Sequence, residues 1–378
     1  MTPADPGQSA SRLQPDLILE VENLTKVFPV SRGILGALRR QPQQWVHAVD
    51  GISFQLGRGE ILAMVGESGC GKTTTALTLM GLEKSDGGTI RFNGQDVTHL
   101  GERRRRAITP SMAVVDGQEH RREPSVSPDL TVKRMRRQMQ MVFQDPYESL
   151  NPRTTVLETV AEPLQVHGLA GTRAEMMKAV CHSLTDAGLN PPEAFLDRRP
   201  HELSGGQRQR VVIASALVLK PSLLIADEPV SMLDVSIRAE ILNLLDLLRK
   251  ERGISILCIT HDLGTAAYFT DRIAVMYLGR IVELGPTRQV LAAPMHPYTQ
   301  ALLSVIPVPN PRLRRQRTIL HGETPNPVSL PSGCRFHPRC PEASAECREA
   351  EPTLALVDAS CSVACWHALE ATSLHQVP

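Results

Sequence analysis

The sequence has few aromatic residues, almost no net charge and no long apolar run. Phe, Trp and Tyr together make up 3% of the 378 residues, and the formal net charge is +1. Proteins that bind single-stranded nucleic acid usually combine a basic surface with aromatic side chains on which the bases stack, so the composition argues against nucleic acid as a partner. No segment approaches the roughly 18 consecutive apolar residues that a membrane-spanning helix needs.

The first residues, MTPADPGQSASRLQPD, lack the basic-then-apolar pattern of a secretory signal. We expect residues 1–16 to form a flexible tail. Without export, the expected compartment is the reducing cytoplasm, in which disulfide bonds do not persist. The eight cysteines therefore need an explanation other than disulfide bonding.

Strand-like and helix-like segments alternate through most of the chain. Residues 17–28 and 48–56 are rich in apolar and β-branched residues and predict strands. Later apolar strands, such as 222–227, are separated by helical patterns, of which 234–252 is the clearest. This alternation is typical of a mostly parallel sheet covered by helices on both faces, so the predicted fold class is α/β. The helix over 234–252 carries one apolar stripe of Ile237, Ile241, Leu244, Leu245 and Leu248.

Two segments break this alternation. Residues 101–137 are rich in Lys and Arg and show little periodicity, which is typical of a disordered insertion. A specific site for acidic lipid or RNA is the alternative interpretation of the same residues. A Pro-rich segment at about 286–331 then leads into a cluster of cysteines and indicates an extended connection.

Residues 66–73, GESGCGKT, match the phosphate-binding pattern G-x-x-x-x-G-K-S/T in full. The glycines let successive backbone N–H groups point at phosphate oxygens, Lys72 adds a cation at the β- and γ-phosphates, and the Thr73 hydroxyl is a ligand for Mg²⁺. A buried strand precedes the loop and a helix is predicted from about Lys72, as the motif requires. ATP and Mg²⁺ are therefore the expected ligands. The predicted ATP-binding residues of this segment are Gly66, Glu67, Ser68, Gly69, Cys70, Gly71, Lys72, Thr73 and Thr74, with Cys70 as a small filler.

An acidic pair follows the apolar strand SLLIAD. Asp227 and Glu228 are predicted at the carboxyl end of that strand, where a doubly wound sheet binds its ligand. We expect Asp227 to hold Mg²⁺ through water. We expect Glu228 to polarise the attacking water, as phosphoryl transfer to water requires.

Residues 203–210, LSGGQRQR, resemble the signature of ATP-binding cassette (ABC) ATPases. The other motifs of that family are present in order. Gln144 resembles the Q-loop glutamine that senses Mg²⁺ and the γ-phosphate, and His261 resembles the switch histidine that contacts the γ-phosphate. Asp234 resembles the D-loop aspartate, although Met232 replaces the usual small residue there.

The resemblance implies a P-loop ABC ATPase with a RecA-like core, an antiparallel β-subdomain, a helical subdomain and a small Cys-rich C-terminal extension. The implied divisions are an ATPase domain over 17–285, with its helical subdomain at 150–202, and the extension over 286–378. Adenine would stack on Phe28. The implied catalytic residues are Gln144, Glu228 and His261, and the implied Mg²⁺ ligands are Thr73, Gln144 and Asp227.

The same resemblance implies that one subunit does not complete its own site. The signature residues open a helix, whose N-terminal N–H groups and dipole favour an anion. In the family they face the γ-phosphate bound by a partner subunit, so two ATP molecules are held between two head-to-tail cassettes. The signature residues are Leu203, Ser204, Gly205, Gly206 and Gln207.

Three further segments, 144–164, 296–307 and 331–347, resemble the ATP-binding subunits of oligopeptide/dipeptide permeases. The resemblance implies two membrane permease subunits, a second ATPase subunit in a heterodimer, a substrate-binding protein and a peripheral position on the cytoplasmic face of the membrane. Residues 147–164 would help to form the groove for a coupling helix of the permease. Oligosaccharides or nickel complexes are the alternative cargo, because the cassette does not determine it. A soluble ABC ATPase acting on nucleic acid is the remote alternative.

The last fifty residues contain five of the cysteines. Their spacing lacks the paired C-x-x-C of common zinc sites, so spacing alone supports zinc weakly. Four thiolates in a reducing compartment nevertheless suit zinc or an iron–sulfur cluster, and simple packing of the extension is the alternative. In the permease subunits that the chain resembles, matching cysteines are associated with a 4Fe–4S cluster, whereas Cys361 falls where the family often has His. The ligands implied by this resemblance are Cys334, Cys340, Cys347 and Cys365.

Overall fold

The computed structural model describes residues 16–30, 32, 42–101, 128–306, 320, 322–358 and 360–369. Of the tail expected over 1–16, residues 1–15 lie outside this part of the chain. The strands are β1 (Leu17–Pro29), β2 (Trp45–Gly57), β3 (Ile61–Val65), β4 (Gly87–Phe92), β5 (Gln95–Asp96), β6 (Met139–Val142), β7 (Leu223–Asp227), β8 (Ser255–Thr260), β9 (Arg272–Tyr277), β10 (Arg280–Pro286), β11 (Ala355–Leu356) and β12 (Ser362–Val363). The helices are α1 (Lys72–Leu79), α2 (Pro128–Gln138), α3 (Pro146–Ser149), α4 (Val156–Val166), α5 (Arg173–Asp186), α6 (Gly205–Leu217), α7 (Val235–Arg252), α8 (Leu263–Phe269), α9 (Thr287–Ala292), α10 (Pro297–Ser304) and α11 (Glu346–Glu349).

The larger sheet has the strand order β11-β12-β10-β9-β3-β8-β7-β6. The five strands from β9 to β6 are parallel to their neighbours, and β10 and β12 are added antiparallel at one side. Every residue of β3 and β7 is buried, as expected for parallel strands covered on both faces. The predicted α/β class is confirmed.

A smaller antiparallel sheet has the order β2-β1-β4-β5. Its apolar face packs on the larger sheet: Leu19 and Phe54 share a buried cluster with Met64 and Leu257. The strands predicted over 17–28 and 48–56 are both present, although β2 already begins at Trp45. This packing places the start of β2 beside the phosphate loop.

Helices α4, α5 and α6 pack together on the other side of the core. Thr155 and Thr172 begin α4 and α5 with capping boxes to Glu158 and Glu175, respectively, which satisfy N–H groups that the helix itself leaves unpaired. The helical character expected within 150–202 is therefore explained by local capping and by an apolar face turned towards α6.

The insertion predicted over 101–137 has to be corrected. Pro128–Gln138 form helix α2, so the prediction of an irregular segment is wrong for residues 128–137. Met135 anchors this helix, because it is only 4% exposed and packs with Met139 in the buried cluster beneath the smaller sheet. Among the described side chains at 132–138, Met135 alone is buried, between the exposed Arg134 and Arg136, and this pattern has too little periodicity to indicate a helix. Residues 102–127 lie outside the described part of the chain.

The C-terminal extension is docked on the larger sheet. β12 pairs with β10, with Glu283 opposite Val363. Tyr277, Tyr298 and Phe336 form an aromatic cluster in which the ring centroids lie 4.7 to 5.5 Å apart. Within the described ranges, no helix is both long and apolar enough to span a membrane.

Candidate active site

The phosphate loop joins β3 to α1 and is closed around the Lys72 ammonium. Lys72 is 5% exposed, and its Nζ donates to the carbonyl oxygens of Gly66 at 2.7 Å and Glu67 at 2.9 Å. Gly71 has φ +107°, and a Cβ there would lie 2.0 Å from the carbonyl oxygen of Ala48. Only glycine fits this position, since a side chain would meet both backbone strain and the neighbouring strand.

A cleft of about 560 Å³ opens beside this loop. It is lined by residues from the predicted phosphate loop, from the start of β2 and from the carboxyl ends of the parallel strands. Phe28, the aromatic residue expected to stack on adenine, also lines it. The full lining is Phe28, Val46, Ala48, Ser68, Gly69, Gly71, Lys72, Thr73, Thr74, Gln144, Glu228, Ser231, Met232 and His261.

Asp227 ends β7 as a buried carboxylate with one unpaired oxygen. The residue is 2% exposed, and its Oδ1 has no hydrogen-bond partner. Burial raises the pKa of Asp227, and the neighbouring Glu228 charge acts in the same direction, while a hydrogen bond with Thr73 opposes them. An unpaired buried carboxylate oxygen is costly unless a cation or water meets it. Together with the Thr73 hydroxyl, it is a hard oxygen donor set that fits Mg²⁺.

Glu228 contacts both of the other predicted catalytic side chains. Glu228 Oε2 accepts a hydrogen bond from Gln144 Nε2 at 3.1 Å, and His261 Nδ1 lies 3.0 Å from Glu228 Oε1. These residues follow β6, β7 and β8, and parallel strands bring their carboxyl ends to one edge of the sheet. Glu228 itself has φ +45°, and its N–H donates to the Ile259 carbonyl at 2.9 Å. The carboxylate is thus held from both sides at the mouth of the cleft.

The predicted signature residues form a separate anion-favouring feature. Ser204 is the N-cap of α6, and its Oγ accepts from the Gln207 N–H while its own N–H donates to Gln207 Oε1. None of the five signature residues lines the described cleft around Lys72. Asp234 is the exposed N-cap residue of α7, with Met232 and Val235 58% and 80% exposed beside it.

Several cleft and loop contacts were not predicted. Val46 and Ala48 line the cleft although they belong to no recognised motif, and Ser231 lines it from the segment that contains the predicted D-loop aspartate, Asp234. Thr324 and Arg339 of the C-terminal extension hydrogen-bond the Glu67 carboxylate. Nothing in the local sequence indicates these contacts, because they join segments that are distant along the chain.

All eight cysteines are free thiols. Burial raises the pKa of Cys334 to about 11, and interactions with Cys347, Cys365 and Cys340 contribute in the same direction. The Cys334 N–H donates to the Cys347 carbonyl at 2.8 Å, and Cys334, Cys340 and Cys365 pack in one cluster, so the four predicted ligands lie in the same part of the extension. Cys361 packs against Gly285 and lies near Asp358. Among the residues described, however, no group of three or more His, Cys, Asp or Glu side chains has an arrangement that could hold a metal ion.

Two family models match the chain. The ABC transporter model covers residues 49–231, and the model of the oligopeptide/dipeptide transporter C-terminal region covers residues 282–347. The first match contains the phosphate loop, the signature and Glu228. The second ends at Cys347 and contains three of the clustered cysteines.

Known proteins resemble the chain over nearly its whole length. The putative oligopeptide transport ATP-binding protein YkfD of Bacillus subtilis is 44% identical over 92% of this chain and 94% of its own length. The oligopeptide transport ATP-binding protein OppF of Escherichia coli is 41% identical over 89% of this chain and 92% of its own. A solved dimeric ATP-binding cassette in a post-hydrolysis state, bound to ADP and Pi, has a TM-score of 0.55 and 26% identity, and the match covers 71% of this chain and 99% of that one.

Proposed function

The chain belongs to the ABC transporter family, in the branch of the oligopeptide and dipeptide transport ATP-binding proteins, and from that membership we propose that it hydrolyses ATP to drive peptide import. The relatives named for oligopeptide transport support peptide as the cargo. Oligosaccharides and nickel complexes are the alternative cargo. We divide the chain into an ATPase domain over 17–285 and an extension over 286–378.

The observation that carries the ATPase is the contact of Glu228 with Gln144 and His261 beside the phosphate loop. Glu228 accepts the proton of the attacking water, and its two partners keep the carboxylate oriented. Lys72 and the loop N–H groups hold the phosphates, while Phe28 stacks on the adenine. When Mg²⁺ is bound by Thr73, Gln144 and Asp227, it neutralises charge on the phosphates.

Each ATP lies between two cassettes. The N-terminus of α6, with residues 203–207, stands apart from the cleft around Lys72, so it is available to a nucleotide held by another subunit. Asp234 and the exposed Met232 lie on the surface that meets this partner. We favour a heterodimer of two different ATPase subunits.

Residues 147–164 contact the permease. Tyr147 is 58% exposed, and the Arg208 guanidinium lies 4.2 Å from the centre of its ring. Arg208 is on α6, immediately after the signature residues, so this contact joins the nucleotide-dependent dimer surface to the segment that follows Gln144. The chain acts at the cytoplasmic face of the membrane with two permease subunits and a substrate-binding protein outside.

Mg²⁺-dependent phosphate release from purified protein tests the ATPase. We expect turnover that is abolished in Lys72→Ala and stimulated when permease subunits, substrate-binding protein and an oligopeptide are present in liposomes. A wild-type chain that neither binds nor hydrolyses MgATP would contradict the proposal. Stimulation by an oligosaccharide or a nickel complex instead of peptide would contradict peptide as the cargo, but it would leave the proposed ATPase activity unchanged.

We also propose that Cys334, Cys340, Cys347 and Cys365 would be the ligands of a 4Fe–4S cluster. Their thiols would have to move together to bind it, because their described arrangement could not hold a metal ion. Four cysteine thiolates are the usual ligands of such clusters, and the packing of Cys334, Cys340 and Cys365 in one cluster, with the Cys334 N–H bonded to the Cys347 carbonyl, supports their grouping. Anaerobic purification followed by a visible spectrum and by iron and zinc analysis tests the assignment. We expect iron to be lost in Cys340→Ser and retained in Cys361→Ser. Zinc in place of iron would change the metal, and colourless metal-free wild-type protein would refute the site.

A further inference from the structure

Glu67 is the point at which the C-terminal extension contacts the phosphate loop. Its backbone N–H donates to the Tyr298 hydroxyl at 2.9 Å, and its carbonyl oxygen accepts from Lys72 Nζ at 2.9 Å. Its carboxylate accepts from Thr324 Oγ1 at 2.6 Å and from Arg339. The Cys70 N–H also donates to this carbonyl oxygen, at 3.3 Å. Every polar group of Glu67 is therefore occupied, and three of its five partners lie beyond β10.

Arg339 makes the strongest of these contacts. Its Nη1 and Nη2 reach Glu67 Oε2 at 2.9 Å and Oε1 at 3.1 Å, in the paired geometry that a guanidinium and a carboxylate favour. The Arg339 side chain is only 9% exposed. The Glu67 side chain is 28% exposed, so the pair is only partly screened by solvent, and removal of Arg339 leaves the Glu67 carboxylate without its paired donors.

The segment that carries Arg339 is itself held on the ATPase core. Arg339 lies in the 3₁₀ turn His337–Arg339, next to Phe336, whose ring meets the Tyr277 ring edge-on at 5.3 Å. Arg335 is buried, donates to the Leu278 carbonyl and pairs with Glu351 at 2.9 Å. Arg339 therefore extends from a fixed platform rather than from a free surface loop.

We propose that Arg339 is a positioning residue for nucleotide binding, which acts through Glu67 to hold the phosphate loop in the conformation that accepts ATP. The inference rests on the proposed binding of ATP at this loop. Arg339 does not line the cleft and does not touch the nucleotide site directly. It makes the extension a structural part of the ATP site.

The reason lies in how the loop binds phosphate. Its backbone N–H groups have to point inwards together, and a loop already ordered in this way does not lose that entropy when ATP binds. Glu67 also provides one of the two carbonyl oxygens that hold Lys72. Without Arg339 the carboxylate loses its paired donors, so the beginning of the loop and the resting position of Lys72 are less well defined.

The test compares MgATP binding and turnover in the full-length wild type, Arg339→Gln and Arg339→Lys. Loss of a charge-assisted hydrogen bond is worth roughly a tenfold change in affinity, so we expect KM and the Kd for a fluorescent ATP analogue to rise by about that factor in Arg339→Gln. We expect kcat at saturating ATP to stay within about twofold, because ground state and transition state lose the same interaction. Arg339→Lys should recover part of the affinity. The matched control is Arg348→Gln, an exposed arginine of the same extension, which should leave KM unchanged.

A double-mutant cycle separates positioning from general damage. Glu67→Gln should raise KM as Arg339→Gln does, and the double variant should add little to either change. If Arg339→Gln does not fold, the same rise in KM for ATP is measured in Arg339→Lys and Thr324→Val, which test the inference in its place. Wild-type KM in these variants, or a fall in kcat alone, would overturn the inference while leaving the ATPase intact. Absence of MgATP binding by the wild type would instead refute the proposed function.

Discussion

His261 Nδ1 lies 3.0 Å from Glu228 Oε1, on the opposite side of the carboxylate from Gln144. The Glu228 side chain is 13% exposed, whereas that of His261 is 53% exposed. The carboxylate is therefore sheltered, and the imidazole faces the open cleft. A base held in this way needs no reorientation before it accepts a proton from water.

Glu228→Gln should abolish turnover without abolishing nucleotide binding. The amide keeps the shape of the carboxylate but does not accept a proton, and the loss of a general base typically costs about 10²–10⁴-fold in rate. Phosphate release and binding of a fluorescent ATP analogue provide the two measurements, and size-exclusion chromatography with ATP should show a trapped dimer. Glu251→Gln, at an exposed position near the end of α7, is the control. Turnover within twofold of wild type would rule out Glu228 as the base.

Gly71→Ala should disrupt the phosphate loop. The alanine Cβ would lie 2.0 Å from the Ala48 carbonyl oxygen at a residue with φ +107°, so we expect a loss of more than about 3 kcal/mol in the free energy of unfolding together with loss of ATP binding. Gly168→Ala is the matched control, because its φ is +69° but no atom lies within 4 Å of the added Cβ. It should cost only about 1 kcal/mol. If urea unfolding gave the same loss of stability for Gly71→Ala and Gly168→Ala, the close contact of the added Cβ with the Ala48 carbonyl would be contradicted.

Tyr298→Phe should weaken both the fold and the ATP site. Tyr298 is fully buried, and its hydroxyl is the acceptor for the Glu67 N–H. Removal of the hydroxyl leaves that donor without its partner, at a cost of about 1–3 kcal/mol. Urea unfolding and ATP titration measure the two effects. Tyr268→Phe removes the hydroxyl of an exposed tyrosine that donates to Asn243, and it should change stability by less than about 0.5 kcal/mol.

His296 should make the protein less stable in mild acid. Burial lowers the pKa of His296 from 6.5 to about 3, and the neutral Nδ1 accepts from the Tyr298 N–H at 3.0 Å. Below pH 6.5 the unfolded chain binds a proton at His296, whereas the folded chain does not. The contribution of the neutral imidazole to the free energy of unfolding is therefore complete above pH 6.5 and is lost as the pH falls towards 3. The slope is about 1.4 kcal/mol per pH unit.

The neighbouring Glu283 opposes this slope, because burial raises its pKa and its folded form then takes up a proton more readily than the unfolded chain. His296 is the N-cap residue of α10. Comparison of the wild type with His296→Asn isolates the titration of the histidine, since asparagine caps helix N-termini well. The difference in the free energy of unfolding between the two proteins should shrink from pH 7 to pH 5. A difference that stays constant over this range would contradict a neutral, buried imidazole.

Local patterns predicted much of the fold. Helix α7 begins one residue after Asp234 and buries the predicted Ile241 and Leu248, because its apolar stripe has helical spacing over many turns. Helix α1 begins at Lys72 as expected. Residues 128–137 were predicted wrongly, since one buried methionine among arginines does not create a periodic signal. Expected side-chain roles, such as adenine stacking by Phe28, stay predictions.

Residue type and short spacing were enough to identify the phosphate loop, the acidic end of β7 and the N-cap of α6, because each depends on chemistry within a few residues. Folding alone brought Gln144, Glu228 and His261 into contact, since the order of β6, β7 and β8 in the sheet determines which strand ends meet. The same holds for Glu67 and Arg339, which are 272 residues apart along the chain. No local pattern encodes that pair, because it depends on where the extension packs against the larger sheet.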